Sequence, residues 1–487
     1  MSRGMRSYLR PTTDPAVLAV QFLVTSFAFF LLGGALALGM AGETSLPGVE
    51  LMGAEAYSRA FSNHGSIMIF LWLMPAVAGL THALLLRVLG VTRSALPRLS
   101  GLGFWLLLPG GLLMLSSFFM GGDSPGWTAY LPLSAQTIGV GQTLWVASLI
   151  VLLLSLGCNA TGFLATILAA RSEKSRSRSP FVVASLISST LALISAPVLL
   201  AALTALLVDR LSAGPSFLAG SLGVTLWQNA FWFFGHPATT MLLLPAIGAV
   251  SEVIQANTGN PLVAKRSVNL AMVAVGGLGL VSWGQHMFAS GLIPAVRVPF
   301  MLTSMAVAIP LAFIVFAWLT TLWVSKVRFS TPMLFSLGFI SMFGLAGLSG
   351  LVLASIPANL QLHGSTFVSG HSHLALFGGV MSGLFAGIYY VFPTLTGKDY
   401  DENLGKLHFL AHAGGVHLAF LPMLLIGLQG VPRRVFEIRP GLELFELASS
   451  GGALILAGAS LLFLYNIFFA WRAGRPAAQE VLPGSTL

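Results

Sequence analysis

Apolar runs alternate with short polar breaks along the whole chain, and each run reaches the roughly 20 residues needed to cross a hydrocarbon core. The pattern predicts twelve membrane-spanning segments, at 16–41, 61–88, 101–122, 138–169, 180–209, 221–254, 267–289, 298–325, 332–354, 366–393, 408–428 and 444–472. A segment in lipid must satisfy its own backbone polar groups, and these runs lack the short alternation of barrel strands. The expected fold is therefore all-α: a bundle of about 12 transmembrane helices forming a single polytopic membrane domain over residues 1–487.

Composition sharpens this picture. Hydrophobic residues make up 56% of the chain and charged residues 8%, whereas soluble domains carry roughly a quarter charged residues. A soluble domain is excluded. The net charge of +9 raises the question of a nucleic-acid partner, but the cations are spread over loops rather than gathered in a patch. All but six of the 24 Lys and Arg residues fall on the side of the two termini, the exceptions being Arg59, Arg210, Arg297, Arg433, Arg434 and Arg439. Cytoplasmic loops hold the basic excess, so both termini are expected in the cytoplasm, in a prokaryotic-type inner membrane. Membrane lipid is then a partner and nucleic acid is not. The first apolar run is too long for a signal-peptide core and reads as a retained helix. The lone Cys158 excludes an internal disulfide framework and cysteine-based clusters.

Candidate chemistry lies in the histidines, because a polar side chain inside a bilayer is costly. The plain alternative for any one of them is a hydrogen bond to a neighbouring helix. His371 and His373 stand two residues apart, which on one helix turns their side chains about 200° from each other. One helix can thereby serve two cofactors on opposite faces. A single zinc ion would favour i and i+4 spacing, whereas haem iron takes axial imidazole readily. With the termini inside, His64, Gln285, His286, His371 and His373 all fall toward the outer face, and His236 sits deeper, within reach through helix tilt. His82, His408, His412 and His417 lie toward the inner side and read as packing or interfacial residues.

Several motifs resemble those of the haem-copper oxidase superfamily catalytic subunit. They are Trp232-Phe-Phe-Gly-His-Pro237, Trp283-Gly-Gln-His-Met-Phe288, and the stretch from His363 to His373. Further matches, among them Gly126-Trp-Thr-Ala-Tyr130 and Gly427 to Arg434, extend the resemblance over nearly the whole chain. It implies the subunit I fold and two haems. The low-spin haem would be held by His64 and His373, the high-spin haem by His371, and one non-haem metal, iron or copper, by His236, Gln285 and His286. His363 would sit beside haem propionates or an outer-face calcium or magnesium ion. Arg433 and Arg434 would pair with the propionates, as guanidinium suits carboxylate.

The departures from the family pattern shape the expected reaction. Proton-pumping oxygen reductases continue the Trp232 motif with a proton-passing glutamate and a metal-linked tyrosine, where this chain has Ala238 and Thr240. Their eighth-helix lysine is missing from Ile309–Phe316. Gln285 offers a neutral, harder amide oxygen in place of an imidazole, or simply a hydrogen bond. These features point to a nitric oxide reductase, joining two NO into N2O without proton pumping. In that reading Thr239, Thr240 and Ser290 hold waters at the site, and protons arrive from the outer side. The alternatives are a divergent oxygen reductase with another proton route and another oxidisable side chain, a nitric oxide dismutase, and a non-redox transporter. The chain lacks cysteines for a dinuclear copper centre and any Cys-x-x-Cys-His haem attachment. Electrons should come from an outer-face partner, a copper protein, a cytochrome or a quinol-handling subunit.

Overall fold

A computed structural model describes residues 8–45, 48, 50–121, 125–170, 179–212, 217–218, 220–437 and 439–477. Six members of the basic tally, Arg3, Arg6, Arg171, Lys174, Arg176 and Arg178, lie outside the described residues. Among the described residues, twelve helices long and apolar enough to cross a membrane follow in chain order: α1 (Pro15–Glu43), α2 (Ala54–Leu89), α3 (Pro97–Phe119), α4 (Val140–Ala169), α5 (Pro180–Leu211), α6 (Gly220–Thr258), α7 (Lys265–Met287), α8 (Pro294–Trp323), α9 (Thr331–Ala354), α10 (Thr366–Thr396), α11 (Glu402–Leu428) and α12 (Glu443–Ala473). An even number of crossings puts both ends of the bundle's chain on one side, here named the terminal face.

Local chemistry sets the helix ends. Asp14 accepts a hydrogen bond from the Ala16 amide at 2.9 Å, with Pro15 in the first turn where its missing N–H costs nothing. Asp401 caps α11 through the amides of Asn403 and Leu404. Gly90 and Gly397 stop α2 and α10 at φ 73, a left-handed conformation that suits glycine. α2 begins seven residues before the apolar run that predicts it. Its first turns are polar, and Arg59 approaches Glu55 at 3.8 Å one turn away.

Burial ranks the helices and shows where a cofactor would be enclosed. In α2, α6 and α10, 72%, 83% and 78% of the most apolar stretch is buried, against 22% in α8. Those three enclosed helices carry His64, His236, His371 and His373. Small residues let the helices close up: a methyl at Gly427 of α11 would collide with the Phe367 backbone of α10.

Among the described residues, three segments of five or more residues wind as π or 3-10 helix, each beside a candidate histidine. A π-helical stretch, Ile67–Leu73, follows His64, and another, Leu374–Val380, follows His373. Pro75 cannot donate to the carbonyl of Leu71, and its ring crowds that turn, which favours the wider winding before it. Gly378 and Gly379 loosen the second stretch. The end of α7, Trp283–Met287, tightens into a 3-10 turn that carries Gln285 and His286.

Candidate haem and metal site

His64 and His373 face each other across the gap between α2 and α10. Their ring centroids are 6.0 Å apart and the planes 14° from parallel. Each ring is held by Nδ1: His64 against the carbonyl of Gly33 in α1 at 2.9 Å, His373 against that of Ser369 at 2.7 Å. Nδ1 donates to the carbonyl in each case, which leaves Nε2 as a lone-pair nitrogen. Two metal–nitrogen bonds of about 2 Å on opposite sides of one ion separate imidazole centres by about 6 Å. The pair therefore fits a bis-imidazole haem. Phe420 flanks His373 at 4.7 Å and closes one side.

His371 points the other way, as the two-residue step requires. Its Nδ1 lies 3.0 Å from Ser349 Oγ of α9. Gly350 makes room for the ring, since a methyl there would come within 3.1 Å of His371 Cε1. His286 lies within electrostatic range of His371, His363 and Arg433.

The third group joins α6 to the tight turn ending α7. His236 Nδ1 is 3.1 Å from His286 Nε2, and Gln285 Nε2 is 3.4 Å from the same His236 nitrogen. Among the described residues no three of His, Cys, Asp and Glu gather into a metal-binding group; here the third donor is an amide, whose oxygen takes the place of its nitrogen when the group is turned over. Donor atoms each about 2 Å from a tetrahedral ion lie about 3.3 Å from one another. The observed separations fit one metal ion, with Gln285 adjacent to it.

Trp232, one helical turn before His236, stacks on His286 with centroids 3.8 Å apart and planes 7° from parallel. Its indole N–H donates to Tyr130 Oη at 2.5 Å. Neither ring was expected from the histidine pattern, although the four-residue spacing of Trp232 and His236 places both on one face. Thr240 packs against Gly279 of α7, where a methyl would strike its hydroxyl. Thr239 donates to the His236 carbonyl at 2.6 Å, and Ser290 to that of Met287 at 3.0 Å, so both hydroxyls are engaged locally.

Above these groups lies a rim of titratable side chains outside the spans. Burial, and then the nearby Arg433, lower the pKa of His363 from its ordinary 6.5. Burial also lowers that of Arg433, with Tyr130 opposing, and raises that of Tyr130, opposed by the Trp232 hydrogen bond and by Arg433. Arg434 reaches Ser58 Oγ of α2 and lies over the Phe61 ring at 5.8 Å. Arg433 thus lies near His286, and Arg434 beside the first turns of α2 that lead to His64.

The remaining histidines lie elsewhere and are tied to other partners. His82 bonds Asn159 Oδ1 at 3.0 Å, His408 meets Tyr389 Oη at 3.1 Å, and His412 meets Ser382 Oγ at 3.0 Å. His417 contacts the carbonyl of Ala413.

Comparison with known proteins fits this geometry. The family described as "Cytochrome C and Quinol oxidase polypeptide I" matches residues 17–455. Relatives called cytochrome c oxidase subunit 1 are 38% identical in Synechocystis sp. (100% of this chain, 89% of the relative), 39% in Thermostichus vulcanus (99% and 88%) and 37% in Bacillus subtilis (94% and 75%). A solved heme-copper terminal oxidase dimer matches with a TM-score of 0.80 over 96% of this chain and 86% of that one, at 17% identity. These relatives overturn the expectation of nitric oxide reduction, and with it nitric oxide as substrate and a place in denitrification. Ala238, Thr240 and the lysine-free Ile309–Phe316 stretch are a few side chains around the site; identity of 37–39% along nearly the whole chain outweighs them.

Proposed function

Since the chain belongs to the cytochrome c and quinol oxidase polypeptide I family, whose members are membrane oxidoreductases built around haems and a metal centre, we propose that it is the catalytic subunit of a divergent terminal oxygen reductase. It takes electrons from a reduced cytochrome c or a similar carrier, through a partner subunit on the face opposite the termini. The basic excess on the terminal face supports cytoplasmic termini and a prokaryotic inner membrane. The observation that carries the reading is the contact of His236 with both His286 and Gln285, near His371, with the His64–His373 pair on the other face of α10.

In this reading His64 and His373 hold the low-spin haem, His371 the high-spin haem, and His236, His286 and Gln285 the non-haem metal. Arg433, Arg434 and His363 neutralise the propionates. When bound, the haems and the metal supply electron transfer and the binding and reduction of dioxygen. The chain's own residues keep the imidazoles oriented: Gly33 and Ser369 fix the rings of the pair, and Ser349 fixes His371.

Reducing one dioxygen to two waters takes four electrons and four protons, and Thr240 has no readily oxidised ring. Trp232 is the aromatic stacked on a metal-site histidine, so it is assigned the electron that a tyrosine would otherwise lend, with the donor restoring it. Tyr130 accepts the indole N–H and steadies that ring. The test is oxygen uptake by the purified complex fed with reduced cytochrome c. Haem signals of both spin types without any oxygen uptake would sink the proposal.

A further inference from the structure

On the face opposite the termini, the link between α3 and α4 carries Tyr130, whose hydroxyl oxygen accepts the Trp232 indole N–H. Local sequence does not favour the shape of this link. Ala129, the residue before Tyr130, stands at φ 44, a left-handed conformation that an alanine side chain disfavours. Contacts from other elements therefore hold Tyr130 in place. On its amino-terminal side, Trp227 of α6 donates an indole N–H to the Thr128 carbonyl at 3.0 Å. On its other side the hold comes from one residue.

Arg210, at the end of α5, turns its whole guanidinium group into the same link. Nη1 donates to the carbonyls of Ser134 at 2.7 Å and Ala135 at 3.4 Å, and Nη2 to those of Thr137 at 3.1 Å and Gly139 at 3.0 Å. Nε donates to Thr143 Oγ1, in the first turn of α4, at 3.1 Å. The five donors of a guanidinium thus meet five acceptors. Three of these carbonyls lie at the end of a single helical turn, Leu133–Gln136, where a cation is favoured. Ser134 in turn donates its backbone N–H to the Tyr130 carbonyl at 3.2 Å. Asp209, next to Arg210, accepts from the amides of Phe217 and Leu218 at 2.7 and 2.9 Å, which fixes the end of α5 that carries the guanidinium.

We propose that Arg210 is a positioning residue of the oxygen-reducing site: it latches the α3–α4 link so that Tyr130 meets Trp232, and Trp232 stays stacked on His286. The inference rests on the oxygen-reductase reading, in which Trp232 lends an electron. Arg210 acts through Tyr130 and not by its charge. An ammonium offers three donors at one point, whereas the acceptors are spread from Ser134 to Thr143, so lysine cannot replace it.

The test uses the complete complex with Arg210→Lys and Arg210→Gln, each alone and combined with Trp232→Phe. Ultraviolet resonance Raman reads the hydrogen bond of the Trp232 N–H, its band being isolated by subtracting the Trp232→Phe spectrum. Both Arg210 variants should shift that band to the position of an unbonded indole. Oxygen uptake at saturating reduced cytochrome c should fall about tenfold, as for a misplaced catalytic group, with KM for the carrier and both haem spectra unchanged. Combined with Trp232→Phe, neither variant should lower the rate further, since changes that act through one contact do not add. If Arg210→Gln fails to assemble, Arg210→Lys, which keeps the charge and much of the stem, decides alone. Multiplied losses, an unshifted band, or a full rate in Arg210→Lys would overturn the latch while leaving the oxidase reading intact. Absence of oxygen uptake in the wild type would remove both.

Discussion

At Gln285 an amide stands where the family places an imidazole, in contact with His236 and next in sequence to His286. An amide oxygen is a neutral donor, and under the proposed function it would complete the metal's set while the 3-10 turn holds it there. Gln285→Leu should lower retention of the non-haem metal by about 10–100-fold, the range for losing a supporting group at a metal site. Metal analysis after dialysis against a chelator reads it, and unchanged stoichiometry would show that Gln285 only hydrogen-bonds. Trp232→Phe keeps a stacked ring and removes both the indole N–H and the easily oxidised π system; oxygen uptake should fall about tenfold with both haem signals intact. His363 gives a pH effect of definite sign. Its folded pKa lies below 6.5, so the unfolded chain binds the proton first as pH falls. Stability from this group is complete above about pH 6.5 and declines below it. His363→Asn should flatten the loss of thermal stability between pH 7 and 5, and an unchanged slope would reject the assignment. What sequence reasoning reached here was the set of histidines. The aromatic partner was missed because Trp232 stands in the sequence only as the first residue of the motif ending at Pro237, and the 3-10 turn that brings His286 under it leaves no mark there.

Among the elements, winding does what sequence periodicity cannot reveal. Hydrophobic runs disclose a helix, but the widened turns at Ile67–Leu73 and Leu374–Val380 leave no mark in the apolar pattern. They shift the face of α2 and α10 that meets the rest of the bundle relative to the face bearing His64 and His373. Removing Ile69 should restore regular winding and rotate His64 by about 100° against the rest of α2. The low-spin haem signal should vanish from a chain that still inserts; retention of that signal would deny the wide turn its role. Close approach is equally hidden in sequence. Gly427→Ala places a methyl against the Phe367 backbone and should cost about 1–3 kcal/mol or more, seen as a lower unfolding midpoint. The short helix Ile356–Leu362, between α9 and α10, was also unforeseen, being too brief for periodicity to register.

For the whole molecule, the number and class of helices were legible because lipid imposes length and apolarity on every crossing. The substrate was not, since it depends on a few side chains whose absence has more than one chemical meaning. Arrangement in the membrane is open to a direct measurement. In a Cys158→Ser background, Arg93→Cys should react with a membrane-impermeant thiol reagent only from the cytoplasm, and Arg439→Cys only from the other side. Reversed labelling would invert the direction of electron entry. The contact between His373 and His64 also sets a timetable. One imidazole is anchored to the first helix and its counterpart is translated about 300 residues later, which at roughly 5–20 residues per second is a wait of about 15–60 s. If this pair holds a porphyrin as proposed, its first half stands open in the bilayer during biosynthesis, and a nascent chain interrupted before the tenth crossing should retain no pigment there.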